Sequence, residues 1–296
     1  MRDDVPSRTA AWVAACRSYG AALPDQARLI EDPYGAAFAG LGGGGVTPPA
    51  AMVRWLTPFR RWVMYMQVRT RVLDDAMLAF VARGGTQIVV LGAGYDCRAL
   101  RFAESLRGAR VFEVDHPATQ GHKQRVLART GVTSPATYVT WDFEARPMAE
   151  LPTALAAAGL DLAKPTFTIW EGVTMYLSDA AIDASVRAIK AWSPPGSELA
   201  FTYVTRASID HPALVTRALG AMLRTAGEPW RFGWDPAALG GWLGDRGLAL
   251  ADDASIAEHA QRLLPAAWAR GVGERGRRIA LARAGGVGES IAVART

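Results

Sequence analysis

The run Gln87-Ile88-Val89-Val90-Leu91-Gly92-Ala93-Gly94-Tyr95-Asp96-Cys97-Arg98, followed by Val111-Phe112-Glu113-Val114-Asp115, decides how this chain is read. An apolar strand, a Gly-x-Gly turn, a helix and a second apolar strand ending in an acid is the layout by which parallel α/β sheets hold an adenosine-containing ligand. At Gly92 and Gly94 the missing side chain lets the backbone leave the strand sharply and come close to a ligand, with the following N–H groups pointing outwards. Asp115 can accept from both ribose hydroxyls; its alternative role is to cap the helix before Pro117. NAD, FAD and S-adenosylmethionine all carry such a ribose.

Outward from this stretch, Arg110–Val114, Thr137–Trp141, Thr166–Trp170 and Glu198–Tyr203 are further short β-rich runs separated by helical stretches, which predicts βαβ units and a parallel sheet. Pro236–Asp245 reads as a helix and Leu248–Ala251 as a weak strand; Arg278–Ala284 and Ile291–Val293 read as closing strands, with a hairpin as one arrangement. The N-terminal third has no strand signal. Residues 8 to 39 read as helical up to the break at Asp32-Pro33-Tyr34-Gly35, and a longer helix runs from about Ala51 through Val81, interrupted near Thr57-Pro58. The glycine-rich Gly40–Pro49 reads as a hinge. The chain thus divides into a helical cover, residues 1–84, and a sheet core, 85–296, as one compact unit.

With 296 residues, half of them apolar, the chain can bury a sizeable core, and no apolar run has the length of a membrane span. The N-terminus lacks signal-peptide features, so a cytoplasmic location is expected. Two cysteines, Cys16 and Cys97, with no Cys/His cluster at ligand spacing, give neither a disulfide framework nor a metal site. The net charge of +5 comes from arginines scattered along the chain rather than a basic run with interleaved aromatics, so no nucleic-acid partner is expected. An acidic small molecule accounts for it as well.

The third glycine of a dinucleotide fingerprint is replaced by Cys97, which weakens the case for NAD. Tyr138-Val139-Thr140-Trp141-Asp142-Phe143 then puts another acid at a strand end, where a carboxylate can accept from an adenine amino group with an apolar neighbour against the ring. Three phased strand ends point to S-adenosylmethionine. A nicotinamide-dependent oxidoreductase would leave Asp142 and Glu171 without a task, and a catalytically idle binding protein is the other class left open.

These motifs, with Asp32-Pro33-Tyr34, Pro165–Leu177 (PTFTIWEGVTMYL), Glu228–Gly233 and Asp235-Pro236, resemble the leucine carboxyl methyltransferase family, including its bacterial members that O-methylate polyketides and other small acids. The resemblance implies a class I, Rossmann-like methyltransferase: a mostly parallel seven-stranded sheet with helices on both faces. It implies S-adenosylmethionine bound by Arg69 at the methionine carboxylate, with Arg71 as the other register, by Gly92, Ala93 and Gly94 at the methionine moiety, by Asp115 at the ribose, by Asp142 with Phe143 at the adenine, and by Glu171 near the methionine end. An arginine fork suits a carboxylate.

Glu171, at the end of the fourth strand, can accept from the cofactor's ammonium group or stabilise its sulfonium; it could instead hold backbone amides of the next turn. Tyr203 is a candidate for lining the acceptor pocket. Methyl transfer needs mainly alignment and exclusion of water. A carboxylate acceptor needs no base, because it is ionised at neutral pH; a phenol or alcohol would need one, and His211 is the best-placed histidine for it. Trp12, Trp55, Trp62, Tyr65, Met52, Met64 and Met66 give the N-terminal third the apolar inventory of a roomy pocket, which suits an aromatic or aliphatic small-molecule acceptor rather than a protein tail. Ester formation on such a small acid is the expected activity, with hydroxyl methylation or methylation of a protein's terminal carboxylate as alternatives, in a monomer or homodimer.

Overall fold

The computed structural model describes residues 7–38, 53, 56–211, 230–273 and 275–285. The hinge Gly40–Pro49, the side chains of Met52 and Trp55, Glu228-Pro229 and the strand at Ile291–Val293 lie outside the described residues.

In chain order the strands are β1 (Gln87–Leu91), β2 (Arg110–Asp115), β3 (Thr137–Thr140), β4 (Phe167–Trp170), β5 (Glu198–Val204), β6 (Leu248–Ser255) and β7 (Arg277–Ala284). They form one seven-stranded sheet, ordered β3-β2-β1-β4-β5-β7-β6. β1 to β5 pair in parallel, whereas β7 is antiparallel to both β5 and β6. The strand β7 is inserted between β5 and β6.

The helices are α1 (Arg8–Ser18), α2 (Thr57–Ala82), α3 (Arg98–Arg101), α4 (Pro117–Arg129), α5 (Leu151–Ala157), α6 (Asp179–Ala191), α7 (Arg206–Asp210), α8 (Pro236–Gly244), α9 (Ile256–Leu263) and α10 (Ala266–Ala269). Both sheet faces are covered, so the central strands read as unbroken apolar runs. Alternation along β1 sends Ile88 and Val90 into one core with α2 and α9, and Val89 and Leu91 into the other with α5, α6 and α8. β1 and β4 meet at Val90 and Ile169, and β1 and β2 at Leu91 and Val114. Their carboxyl ends therefore form one level rim, which brings Gly92, Asp115 and Glu171 to the same edge.

α2 begins at Thr57 with Pro58 in its first turn, where a missing N–H costs nothing. The helix predicted over residues 8–39 is shorter than expected. After α1 the chain proceeds through three one-turn 3-10 segments, Tyr19–Ala22, Asp25–Ala27 and Gly35–Phe38. Pro24 and Pro33 cannot continue an α-helix, and side chains take over the backbone pairing. The amide Oε1 of Gln67, on α2, accepts from Leu29 and Ile30 N–H at 3.0 Å each, and Asp32 Oδ1 accepts from Tyr34 and Gly35.

Beneath the glycine turn, Lys123 of α4 is fully buried; it donates to the Glu113 carboxylate of β2 and to the Asp96 carbonyl. Burial opposes its charge, but Glu113 beside it raises its pKa and keeps it protonated. Removing one member of a buried pair strands the other. Lys123→Met is expected to lower the unfolding free energy by about 3–5 kcal/mol, and adding Glu113→Gln is expected to restore at least half of that loss. Urea titration of both variants checks this; equal losses in single and double variant would show that the ion pair is not the source.

Candidate active site

The glycine turn needs its glycines. Gly92 and Gly94 have φ of +69° and +53°, in the left-handed region. A Cβ at Gly92 would also lie 2.6 Å from Val173 Cγ2, so the turn and the segment after β4 touch there. Asp115, buried at the end of β2, accepts from the backbone N–H of Gly94 and, at 2.7 Å, of His116. Burial pushes its carboxyl up and these two amides oppose the shift. Each carboxylate oxygen keeps a lone pair for a further donor.

The residues after the turn do not form the long helix of a dinucleotide fold. Tyr95 is buried and stacks on Phe38 at 4.5 Å with 5° between the planes. Cys97 is buried, its thiol pushed up to about 12 by burial, and α3 is a single turn. Above it runs a buried ionic chain. Arg98 donates to Glu171 Oε2 at 2.9 Å, to Asp74 Oδ1 at 2.7 Å and to Asp96, while Arg69 donates to Glu171 Oε1 at 2.7 Å. Two carboxylates, Asp96 and Glu171, thus line the space where a pyrophosphate would need cations. Burial alone would push Glu171 up, but the guanidiniums of Arg69 and Arg98 hold it at about 2.

These groups surround a cavity of about 380 Å³ at the rim of the sheet. The β1 turn contributes Gly92, Ala93 and Gly94, β2 contributes Asp115 and His116, and the stretch after β3 contributes Phe143 and Glu144. On the opposite side Glu171, Gly172, Val173, Tyr176 and Leu177 follow β4, joined by Arg231. Arg69 lines the cavity; Arg71 does not, being half-exposed and paired with Asp75 at 2.8 Å.

Asp142 itself is turned away from the cavity. Its Oδ1 accepts from the N–H groups of Glu144 and Ala145 at 2.9 and 3.1 Å, and its Oδ2 lies 3.7 Å from His116 Nε2. Those two amides hold its carboxyl below the usual range. Tyr203 does not line the cavity either. It is buried with Phe201 and Trp234 in the core beneath the sheet, and its hydroxyl donates to Asp253 at 2.8 Å. His211 is an exposed residue that closes α7 with its backbone N–H on Ala207 O.

The apolar N-terminal side chains are likewise placed elsewhere. Met64, Tyr65 and Met66 are core, Trp62 packs against it, and Trp12 is 46% exposed. Beside Arg69, what lines the cavity from that region is Ser7 and, on α1, Thr9, Ala10, Val13 and Arg17. Arg17 is a site residue that sequence reasoning missed. It is buried, donates to Asp32 Oδ2 at 2.8 Å and to Tyr95 O at 2.6 Å, and so ties the Asp32-Pro33-Tyr34 motif to the glycine turn. An arginine three residues before a glycine in a polar helix end carries no signal by itself; the acid that buries it is 15 residues away.

Among the described residues no group of His, Cys, Asp and Glu is arranged to ligate a metal, and no helix is long and apolar enough to cross a membrane.

Residues 10–190 match the family model of leucine carboxyl methyltransferase. A protein of Frankia alni assigned as an S-adenosyl-L-methionine-dependent methyltransferase is 36% identical over 68% of this chain and 70% of its own. One of Streptomyces coelicolor with the same assignment is 35% identical over 81% of both chains. Among solved structures, a DUF574-family protein of Streptomyces avermitilis superposes with a TM-score of 0.57 over 91% of this chain and 96% of that one, at 19% identity, which speaks to the fold. This chain is an S-adenosylmethionine-dependent methyltransferase and belongs to the leucine carboxyl methyltransferase family.

Proposed function

We propose that the protein transfers the methyl group of S-adenosylmethionine to the carboxylate of a small acid, forming a methyl ester. The observation that carries this is the make-up of the cavity's β4 side. All four histidines of the chain are among the described residues, and His116, beside Asp115, is the one that lines the cavity. Glu171 is held by two arginines as an anion, a poor base. An acceptor that arrives ionised fits such a site, since a carboxylic acid of pKa about 4 needs no deprotonation.

In this reading Asp115 holds the ribose hydroxyls, and Phe143 and Glu144 flank the adenine. The methionine carboxylate lies with Arg69 and Arg17, and its ammonium group with Glu171. The sulfonium then faces the β4 side. A carboxylate oxygen attacks the methyl carbon in line, the C–S bond breaks with its electron pair left on sulfur, and neutral ester and thioether result with no proton to place. The chain's work is alignment and exclusion of water. α1, with its Ala10 and Val13 on the cavity, serves as the cover.

Incubation with methyl-labelled S-adenosylmethionine and a panel of carboxylic acids and phenols, followed by mild alkali, tests the proposal. Label released by alkali is expected; label that survives on every product would point to ethers and sink the ester reading. At the cofactor, Asp115→Ala is expected to weaken binding about 100-fold or more through two lost hydrogen bonds to a charged acceptor. Arg69→Ala is expected to weaken it more than Arg71→Ala, both read by calorimetry. The reverse ranking would take Arg69 out of the site.

The pH profile separates the acceptor chemistries. Because the folded-state pKa of Glu171 is depressed from 4.5 to about 2, it stays anionic at neutral pH, and its contribution to stability is lost only as pH falls from 4.5 towards 2. For a carboxylic acid acceptor, log kcat is expected to show no unit-slope rise between about pH 6 and 8, the range where an imidazole base would titrate. The same profile is expected for His211→Ala, and a slope that disappears in that variant would restore His211 as a base.

A further inference from the structure

The segment Trp230-Arg231-Phe232-Gly233-Trp234 is built as a rigid mount for one side chain. Arg231 and Phe232 N–H groups both donate to Met175 O, at 2.7 and 3.3 Å, which fastens the segment to the turn after β4. Trp234 N–H donates to Val204 O at 3.2 Å and its carbonyl accepts from Arg206 at 2.9 Å, which fastens it to the end of β5. Phe232 and Trp234 are buried, in edge contact with each other at 4.6 Å, and Trp234 meets Phe201, Tyr203 and Trp242 at 5.3 to 5.6 Å. Between them Gly233 passes so close to β5 that a Cβ would sit 2.7 Å from Val204 O. Against this buried background Arg231 is exposed and lines the cavity.

The other arginines on the cavity wall are buried and ion-paired, Arg17 with Asp32 and Arg69 with Glu171. Arg231 has no acidic partner among the described residues. In the strand order, Asp115 and Phe143 lie on the β2–β3 side of the glycine turn, whereas Arg231 stands with Tyr176 and Leu177 on the β4 side, the side left to the acceptor in the carboxylate reading.

We infer that Arg231 determines acceptor specificity by pairing its guanidinium with the reacting carboxylate; this rests on the carboxylate reading above. A fixed fork suits a carboxylate in two-point contact and orients one oxygen towards the methyl group. Transfer of the methyl group to that oxygen removes the acceptor's charge. The ester then faces a cation it no longer neutralises and leaves, so Arg231 sorts substrate from product as well as acid from alcohol.

Kinetics with a set of carboxylic acids test this on the wild type, Arg231→Gln and Arg231→Lys. The glutamine variant is expected to raise KM for every acid acceptor about 10- to 100-fold. Its affinity for S-adenosylhomocysteine, read by calorimetry, is expected to stay within about twofold, which also reports that it is folded. The lysine variant, which keeps the charge without the fork, is expected to recover part of the loss. If the wild type forms alkali-labile products and the glutamine variant forms them with unchanged KM, Arg231 is not the selector, while the carboxylate reading stands. If no acid yields an alkali-labile product with the wild type, the carboxylate reading itself fails and this inference with it.

Discussion

One glutamate holds the site together. Glu171 ends β4 and reaches Arg69 on α2 with one oxygen and Arg98, just beyond the glycine turn, with the other. The three parts of the cavity wall that come from distant stretches of chain are thereby set against one another at hydrogen-bond precision. Such an arrangement is costly to bury and is weak evidence of stability. Its value lies in position. Arg98 extends the chain to Asp74 and Asp96, and Arg101 adds a second contact to Asp74 at 2.7 Å, so each carboxylate in the series has a cation and α2 cannot shift without breaking several of them.

The N-terminal segment is joined to this frame by polar pairings rather than by a long helix. Gln67 supplies the acceptor for two backbone amides and donates to Arg17 O at 3.3 Å, Arg17 reaches Asp32 and Tyr95 O, and Phe38 stacks on Tyr95. The bulky residues that replace a third glycine after the turn thus have a structural purpose. Tyr95 anchors the cover, and Asp96 and Arg98 join the ionic chain.

The sheet was legible because a strand buried on both faces writes itself as a short apolar run with punctuation on either side, and β1 was read to the residue. The position of Asp115 at the cavity rim was legible because an acid that closes a buried strand lies at the edge of the sheet. Asp142, Tyr203 and His211 were chosen by the same strand-end logic, and there it reached its limit. Beyond a strand a single peptide rotation decides where a side chain points, and Asp142 spends its carboxylate on its own turn. For Tyr203, β5 alternation and a partner 50 residues on, Asp253, put the ring under the sheet. Arg17 and Arg231 could not be singled out among so many arginines, because their places depend on contacts to Asp32, Tyr95 and Met175 that no spacing rule encodes.

The insertion of β7 between β5 and β6 sets an order of assembly. β5 can complete the parallel half of the sheet soon after it is made, yet its outer edge stays open until a strand nearly 75 residues further on arrives to pair with it, Val204 against Arg277. In the interval β6 has no neighbour in the sheet, and the apolar β5 edge is a template for pairing with another chain. The β5 edge is thus closed by a strand distant in sequence, and pairing of this kind carries a high loop-closure cost and is intrinsically slow.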